Sequence, residues 1–291
     1  EEAKKLFKDA NELLDLIIEK RLLKANAVFG LFPANSIGFD DVEIYSENNK
    51  ILETFHFLRQ QWKKQDGIPN YSLADFIAPN TSGVTDYIGC FALTAGIGAK
   101  ELSNEFSKNN DEYSSILVKI IADRLAEAFA ELLHYKVRTE YWGYSENEEL
   151  KFICHSERSE KSQHSYSPLE RGQGVCSEKI NSLNSTTIEV IDLSFNYPGI
   201  RPAHGYPALP DHTEKSIIFE LLEAEKNIGV KLTESLMMVP AASICGLYFA
   251  HSEAKYEPVG KIAKDQILDY KKRKGISTEG IEKWLAQNLA Y

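Results

Sequence analysis

The order of the apolar patterns along this chain limits its fold more than any other feature. Two long stretches, residues 6–22 and 113–138, carry apolar side chains at three- and four-residue steps, which predicts amphipathic helices. Short apolar runs bounded by turn residues lie between and after them, and these predict strands and hairpins. Strands and helices do not alternate regularly, and no GxGxxG follows a strand. We therefore predict an α+β fold: one domain with a central, mostly antiparallel twisted sheet flanked by helices.

The individual elements follow from shorter signals. The pair Asn48-Asn49 separates two strand-like runs and predicts a hairpin. A turn is predicted at residues 33–35, and Gly229 should end a short helix. The predicted strands cover residues 27–32, 42–45, 51–58, 87–94 and 243–249, and the later helices cover residues 219–228, 259–274 and 278–288.

One segment differs in composition from the rest of the chain. Residues 148–194 are rich in Ser, Glu, Lys and Gln and poor in aromatic residues, so they bury too little apolar area to offset the entropy of ordering. We predict a poorly ordered surface insertion there, within a single domain that spans residues 1–291. Four side chains in it could bind a metal, but their spacing fits no standard zinc site: Cys154, His155, His164 and Cys176. No metal site is predicted.

Charge and cysteine content argue against several functional classes. The formal net charge of −10 disfavours nucleic acid as a partner, because phosphate contacts require an excess of Lys and Arg. The longest apolar run, residues 237–250, is too short to span a bilayer and contains Pro240, so no membrane association is predicted. The four cysteines lack CxxC spacing and no secretory signal is present, which favours the cytoplasm. The chain begins at Glu1 within a helical pattern, and we expect it to be part of a longer protein.

Residues 201–215, RPAHGYPALPDHTEK, form the stretch that is richest in ligand-binding chemistry. Arg201 can grip a carboxylate through two parallel hydrogen bonds. Gly205 lets the backbone approach a ligand closely, and Tyr206 offers an apolar face with a polar tip. This combination suits a small zwitterionic ligand with an aromatic part.

The same stretch resembles the signature of the activation domain of cobalamin-dependent methionine synthase, the domain that binds S-adenosylmethionine. Six further blocks occur in the order typical of that family. They are LFPANSIGFDDVEIYS (31–46), PNYSLADFIAP (69–79), SGVTDYIGCFALTAG (82–96), ADRLAEAFAELLHYKVR with EYWGY (122–144), KLTESLMMVPAASICGLYFAHSEAKY (231–256) and DQILDYKKRKG (265–275). A lone RxxxGY would be a weak signal, whereas seven ordered blocks that cover nearly the whole chain outside the insertion are a strong one.

The resemblance implies a set of contacts to S-adenosylmethionine and gives no residue a catalytic role. Arg201 would hold the methionyl carboxylate, and Asp75 would pair with the ammonium group. The adenosine would lie against the turn around Tyr206, with backbone hydrogen bonds from Ala203. The implied cofactor-binding residues are Asp75, Glu127, Arg201, Ala203, Gly205, Tyr206 and Tyr256.

Each of these residues also has a purely structural alternative. Asp75 could cap the turn before Pro79, and Arg201 could form only a surface ion pair. Glu127 stands at helical spacing from Glu131, which is typical of a solvated face, and the tyrosines could simply pack. Three nearby histidines fit structural roles better than acid–base roles: His204, His212 and His251.

Two positions depart from the family pattern. Phe195 stands where the family often has an acid six residues before the arginine, and Glu257 replaces the second residue of a tyrosine pair. These differences leave open a second hypothesis, a regulatory docking module for a cobalamin protein with lost or weak ligand binding. A methyltransferase acting alone is disfavoured by the lack of a glycine-rich Rossmann turn.

The resemblance also implies a reaction and its partners. In the family, oxidised cobalamin is restored by an electron from flavodoxin and a methyl group from S-adenosylmethionine. This chain lacks the family's cobalamin motif DxHxxG, so cobalamin should be carried by the cobalamin-binding domain of methionine synthase, as a neighbouring domain or a separate chain. Reduced cobalt attacks the methyl group, which agrees with the lack of a Ser-His-Asp or Cys-His pattern here. We expect a methyltransferase component that is inactive in isolation.

Overall fold

The computed structural model describes residues 1–148 and 197–291, together with three short strands between them. Apart from Glu148 and these strands, the insertion predicted at residues 148–194 lies outside the described residues, as do Phe195 and most of the candidate metal ligands. The strands are β1 (Lys24–Ile37), β2 (Asp41–Tyr45), β3 (Ile51–His56), β4 (Asp86–Ile97), β5 (Phe152–Ile153), β6 (Gly174–Cys176), β7 (Val190–Ile191), β8 (Lys231–Leu232), β9 (Met238–Val239) and β10 (Ser243–Tyr248). The helices are α1 (Glu2–Lys20), α2 (Ala99–Lys108), α3 (Glu112–Lys136), α4 (Lys215–Leu221), α5 (Ala224–Ile228), α6 (Lys264–Lys274) and α7 (Thr278–Trp284).

A six-stranded antiparallel sheet forms the centre of the fold. Its strands run in the order β10-β4-β1-β2-β3, and β6 pairs with β1 outside this path. The long strand β1 pairs with β4 over most of its length and with β2 at its end. The hairpin predicted around Asn48-Asn49 is the β2–β3 pair, and Asn49 adopts the left-handed conformation that its turn requires.

Different helices bury the two faces of the sheet. Successive residues of β1 point to opposite faces, so Phe29 packs into one core and Val28 into the other. Helices α1, α2 and α3 cover the first face, and α4 and α5 cover the second. Helices α6 and α7 form a third, smaller core together with Leu58. These layers confirm the predicted α+β fold with helices flanking an antiparallel sheet.

Helix α3 confirms the helix predicted at residues 113–138 and serves as the platform of the candidate site. Asp111 caps its first turn by accepting a hydrogen bond from the backbone N–H of Ser114 at 2.9 Å. The helix continues into a five-residue π-helix, Val137–Tyr141. This rare form often occurs at functional sites.

Several predicted element boundaries were wrong, because tertiary contacts overrode the local pattern. Residues 219–228 form two helices, since Glu223 adopts a left-handed φ of 44° between them. The turn predicted at residues 33–35 is part of β1, at the point where its pairing passes from β4 to β2. Helix α6 begins five residues later than predicted, because Val259 is held by a backbone hydrogen bond to another loop, and the last helix ends early, at Trp284.

A buried ion cluster ties α6 to the loop that precedes α4. The Nζ of Lys274 contacts Glu214, Asp211 Oδ2 at 2.6 Å and Tyr270 Oη at 3.1 Å. The side chains of Lys274, Asp211 and Glu214 are only 8%, 6% and 1% exposed. Burial raises the pKa of Asp211, but the charge and hydrogen bond of Lys274 lower it overall. Burial raises the pKa of Glu214 despite the neighbouring charge of Lys274. One ammonium group therefore faces two carboxyl groups in the protein interior.

Candidate functional site

The signature segment is held in place along the outer edge of β10. Ile200 and Phe249 exchange backbone hydrogen bonds of 3.0 Å in both directions, and Ala203 forms a β-bridge with Gly246. Because side chains alternate in an extended segment, Ile200 enters the core while Arg201 turns the other way, to α3. Backbone pairing with β10 thus fixes the position of the Arg201 backbone.

The guanidinium of Arg201 faces two acids of α3. Its Nη2 donates to Glu131 Oε2 at 3.2 Å and lies 4.0 Å from Glu127 Oε2, and its backbone N–H donates to Tyr256 Oη at 2.8 Å. The side chain is 18% exposed, and its buried Nε has no hydrogen-bond partner among the described residues. Burial alone would lower the pKa of Arg201, but the attraction of Glu131 raises it overall. The structure thus brings three of the predicted site residues together around a permanent cation.

Arg138 forms a second buried cation beside the first. The π-helix carries it inward, where its side chain is 2% exposed. Its Nε and Nη2 donate to the carboxylate of Glu148 at 2.8 and 2.5 Å, and its Nη1 lies 3.9 Å from Glu131 Oε1. Its guanidinium stacks on the ring of Tyr197 at 3.6 Å from the centroid. Glu131 therefore lies between two guanidinium groups.

Aromatic rings pack against this ion network. His134 stacks on Tyr248 with ring centroids 5.1 Å apart and meets Tyr197 edge-on at 5.2 Å. Burial, supported by the charges of Arg138 and Arg201, lowers the pKa of His134 well below 6.5, so that the imidazole is neutral at pH 7. Burial also raises the pKa of Tyr197 to about 12. The rings are uncharged at neutral pH, and the charges of the site come from its arginines and acids.

Asp75 lies on a neighbouring 3₁₀ turn, Leu73–Phe76, and its carboxylate is already engaged. Its Oδ1 and Oδ2 accept hydrogen bonds from Arg59 at 2.6 and 2.7 Å. Oδ2 also accepts the backbone N–H of Ser72 at 2.9 Å, in a capping box. The capping alternative considered from the sequence is therefore present in the structure.

The turn that carries Asp75 packs beside the segment that carries Tyr256. The ring of Phe76 lies 5.9 Å from that of His251, five residues before the tyrosine. No hydrogen bond or ion pair between described residues joins Asp75 to Arg201. The described residues thus show a ring contact between the two segments and no direct polar contact between the two predicted site residues.

Gly205 and Tyr206 form a tight turn within the signature segment. Gly205 has a φ of 92°, and its N–H donates to the carbonyl of Leu209 at 2.8 Å. Tyr206 follows with 60% of its surface exposed. His204 is buried with no partner for either ring nitrogen among the described residues, and burial lowers its pKa to about 3, which suits a structural role.

Replacing Gly205 with alanine should destabilise the fold by about 2–4 kcal/mol, because both the backbone and the space are restricted. An added Cβ would lie 2.4 Å from Cε1 of His212, in a conformation that L-residues rarely adopt. Gly229→Ala is the matched control, since Gly229 has a φ of 73° with open space around it and should lose only about 1 kcal/mol. Urea unfolding measures the loss of unfolding free energy in both variants. Equal losses would show that the contact with His212 does not matter.

Two residues of the site were not selected from the sequence, Glu131 and Arg138. The spacing of Glu127 and Glu131 indicates one shared helix face, and a solvated face was the alternative considered for it. That alternative describes Glu127, which is 47% exposed, but not Glu131, which is 13% exposed. Their role depends on the distant signature segment that packs over α3, which helical spacing does not reveal.

Two kinds of feature are absent from the described part of the chain. Over residues 1–148, 197–291 and the three short strands, no helix is long and apolar enough to cross a bilayer. Within the same residues, no group of three or more His, Cys, Asp or Glu side chains is placed to hold a metal ion.

Comparison with known proteins matches this chain to one family model and to several solved structures. The family model described as "Vitamin B12 dependent methionine synthase, activation domain" matches residues 1–161 and 181–275, and its gap falls within the predicted insertion. A crystal structure of the MetH reactivation domain bound to AdoHcy is 46% identical in sequence and superposes with a TM-score of 0.82. That match covers 100% of this chain and 78% of the other.

Proposed function

The chain belongs to the family of vitamin B12-dependent methionine synthase activation domains, and from this premise we propose that it binds S-adenosylmethionine and positions the methyl group for transfer to reduced cobalamin on a partner domain. The observation that carries the proposal is the buried guanidinium of Arg201, whose Nε donor has no partner among the described residues and which has an acid beside it. The similar MetH reactivation domain bound to AdoHcy supports it. AdoHcy has the adenosine and the amino-acid tail of S-adenosylmethionine and lacks only the methyl group that is transferred.

In this proposal the amino-acid tail of the ligand lies at Arg201. The guanidinium would donate parallel hydrogen bonds to the carboxylate, and only one of its N–H groups is used by Glu131. Glu127, about half exposed, would place a negative charge near the ammonium or the sulfonium. Asp75 is proposed as an ammonium contact from the family pattern. Because Arg59 binds both of its oxygens, Asp75 would accept through the remaining lone pairs.

The adenosine would lie against the exposed rings at the end of the site. Tyr206 and Tyr256 are 60% and 53% exposed, which leaves ring faces available for a base. Tyr256 is also fixed by its Oη, which accepts the backbone N–H of Arg201. The main chain of Ala203 and Gly205 would supply the hydrogen bonds to this part of the ligand.

The proposed reaction requires this chain to bind and orient the ligand, and no residue of the chain is assigned a catalytic role. Reduced cobalamin on the cobalamin-binding domain would supply the nucleophile, and flavodoxin or a similar donor would supply its electron. By gripping the tail, Arg201 would fix the sulfonium and hence the direction of the methyl group. The partner domain would exclude water from the methyl group. We propose a cytoplasmic methyltransferase component of methionine biosynthesis that is inactive alone.

Calorimetric titration with S-adenosylmethionine tests the binding step. We expect saturable heat with one site per chain. No heat at millimolar ligand would contradict the proposal and would favour the regulatory docking module considered from the sequence. The transfer step is tested by mixing methyl-labelled S-adenosylmethionine with a cobalamin-loaded partner domain and a reductant. The labelled methyl group should reach cobalamin only if this chain is present.

A further inference from the structure

One carboxylate joins the two buried arginines of the site. Glu131 accepts the hydrogen bond from Arg201 on Oε2 and faces Arg138 with Oε1. Arg138 is itself anchored, because Glu148 binds it through two hydrogen bonds and Tyr197 stacks on it. The bridge therefore connects Arg201 to a fixed ion pair in the protein interior.

Other contacts leave the Arg201 guanidinium loosely held. Among the described residues, Glu131 accepts the only hydrogen bond from it, and Glu127 lies farther away at 4.0 Å and is half exposed. A long side chain that is free to rotate loses entropy when a ligand fixes it. Holding the guanidinium in advance removes part of that loss, so the residue that holds it should affect affinity.

We propose that Glu131 is a positioning residue, which holds the Arg201 guanidinium ready for the ligand carboxylate by bridging it to the anchored Arg138–Glu148 pair. The inference rests on the proposed function, since it requires the carboxylate to bind at Arg201. Arg201, Arg138, Glu131 and Glu148 together carry no net charge before the ligand arrives, and the half-exposed Glu127 adds one negative charge 4.0 Å from Arg201. Glu131 therefore also keeps a counter-ion between two buried guanidinium groups. It acts through Arg201 and has no contact with the ligand.

Two ligands separate a positioning role from a merely structural one. AdoHcy carries the amino-acid carboxylate, whereas 5′-methylthioadenosine has the same adenosine and sulfur without the tail. Glu131→Ala should weaken AdoHcy binding about 10-fold and change methylthioadenosine binding less than about twofold. Glu131→Gln keeps the shape and an acceptor oxygen, so it should recover part of the loss. Thermal unfolding of each variant confirms that it is folded, and the isosteric glutamine variant provides the measurement if the alanine variant does not fold.

A double-mutant cycle with Arg201→Ala completes the test. In the Arg201→Ala background, Glu131→Ala should weaken AdoHcy binding less than about twofold further, because the group it positions is gone. Equal weakening of both ligands, or unchanged AdoHcy affinity, would overturn the proposal. Tighter AdoHcy binding would also overturn it, since Glu131 would then compete with the ligand carboxylate. If the unaltered chain bound neither ligand, the proposed function itself would fail and this inference with it, so the two failures are distinguishable.

Discussion

The Arg201→Ala variant is expected to lose most of its affinity for S-adenosylmethionine, with Kd rising roughly 100-fold or more. The substitution deletes charge-assisted hydrogen bonds to the ligand carboxylate that are together worth about 3 kcal/mol. It also leaves Glu131 near that carboxylate without the cation between them. Arg201→Lys keeps the charge but lacks the planar guanidinium that donates two parallel hydrogen bonds. Its affinity should therefore lie between those of Arg201→Ala and the unaltered chain. Isothermal titration calorimetry measures all three proteins.

Arg124→Ala is the matched control for this experiment. Arg124 is an exposed arginine on α3, the helix that Arg201 faces, and its removal deletes the same charge without touching the site. We expect its affinity to equal that of the unaltered chain. Binding of 5′-methylthioadenosine should survive in Arg201→Ala, because that ligand has no carboxylate. An Arg201→Ala variant that is folded and binds S-adenosylmethionine within about threefold of the unaltered chain would contradict the placement of the tail at this residue.

The Lys274→Met variant should lose about 3–5 kcal/mol of unfolding free energy at pH 7, the largest stability effect that we expect. Methionine fills a similar volume but leaves Asp211 and Glu214 as two buried carboxyl groups without a cation. Because Lys274 lowers the pKa of Asp211 below its usual 3.8, its contribution is present above that pH and is lost as the pH falls through the lower folded-state value. Urea unfolding should therefore show a smaller difference in unfolding free energy between Lys274→Met and the unaltered chain at pH 3 than at pH 7.

Lys272→Met controls for the loss of a charge from the same helix. Lys272 is exposed on α6, and its substitution should change stability by less than about 0.5 kcal/mol. Adding Glu214→Gln to Lys274→Met should restore part of the loss, since one of the two buried carboxyl groups is then removed. Equal stability of Lys272→Met and Lys274→Met would mean that the buried cluster does not stabilise the fold.

Much of the fold could be predicted because its signals are local. The apolar period of three to four residues predicted α1 and α3, and strand-like runs bounded by turn residues predicted β2, β3, β4 and β10. The errors occurred where distant contacts decide the backbone. The split between α4 and α5 at Glu223 is one case, and the passage of β1 through residues 33–35 is another. Neither leaves a clear local signal.

The candidate site shows the same division. Residues of the sequence blocks, Arg201, Glu127 and Tyr256, do meet, and the identity of the family followed from the order of those blocks. The partners of these residues could not be inferred in the same way. Asp75 carries a carboxylate in the right block, yet Arg59 binds it on both oxygens, and no spacing in the sequence predicts that pair.

The sequence by itself determined the α+β class, the family and the arginine on which the proposed site depends, because periodicity and motif order are properties of the chain alone. Only the tertiary structure decided how that arginine is held. Glu131 and Arg138 lie more than sixty residues before Arg201, and they approach it because pairing of Ile200 with Phe249 places the signature segment over α3. Coulomb energy depends on distance in space and on burial, and neither can be calculated from separation along the chain.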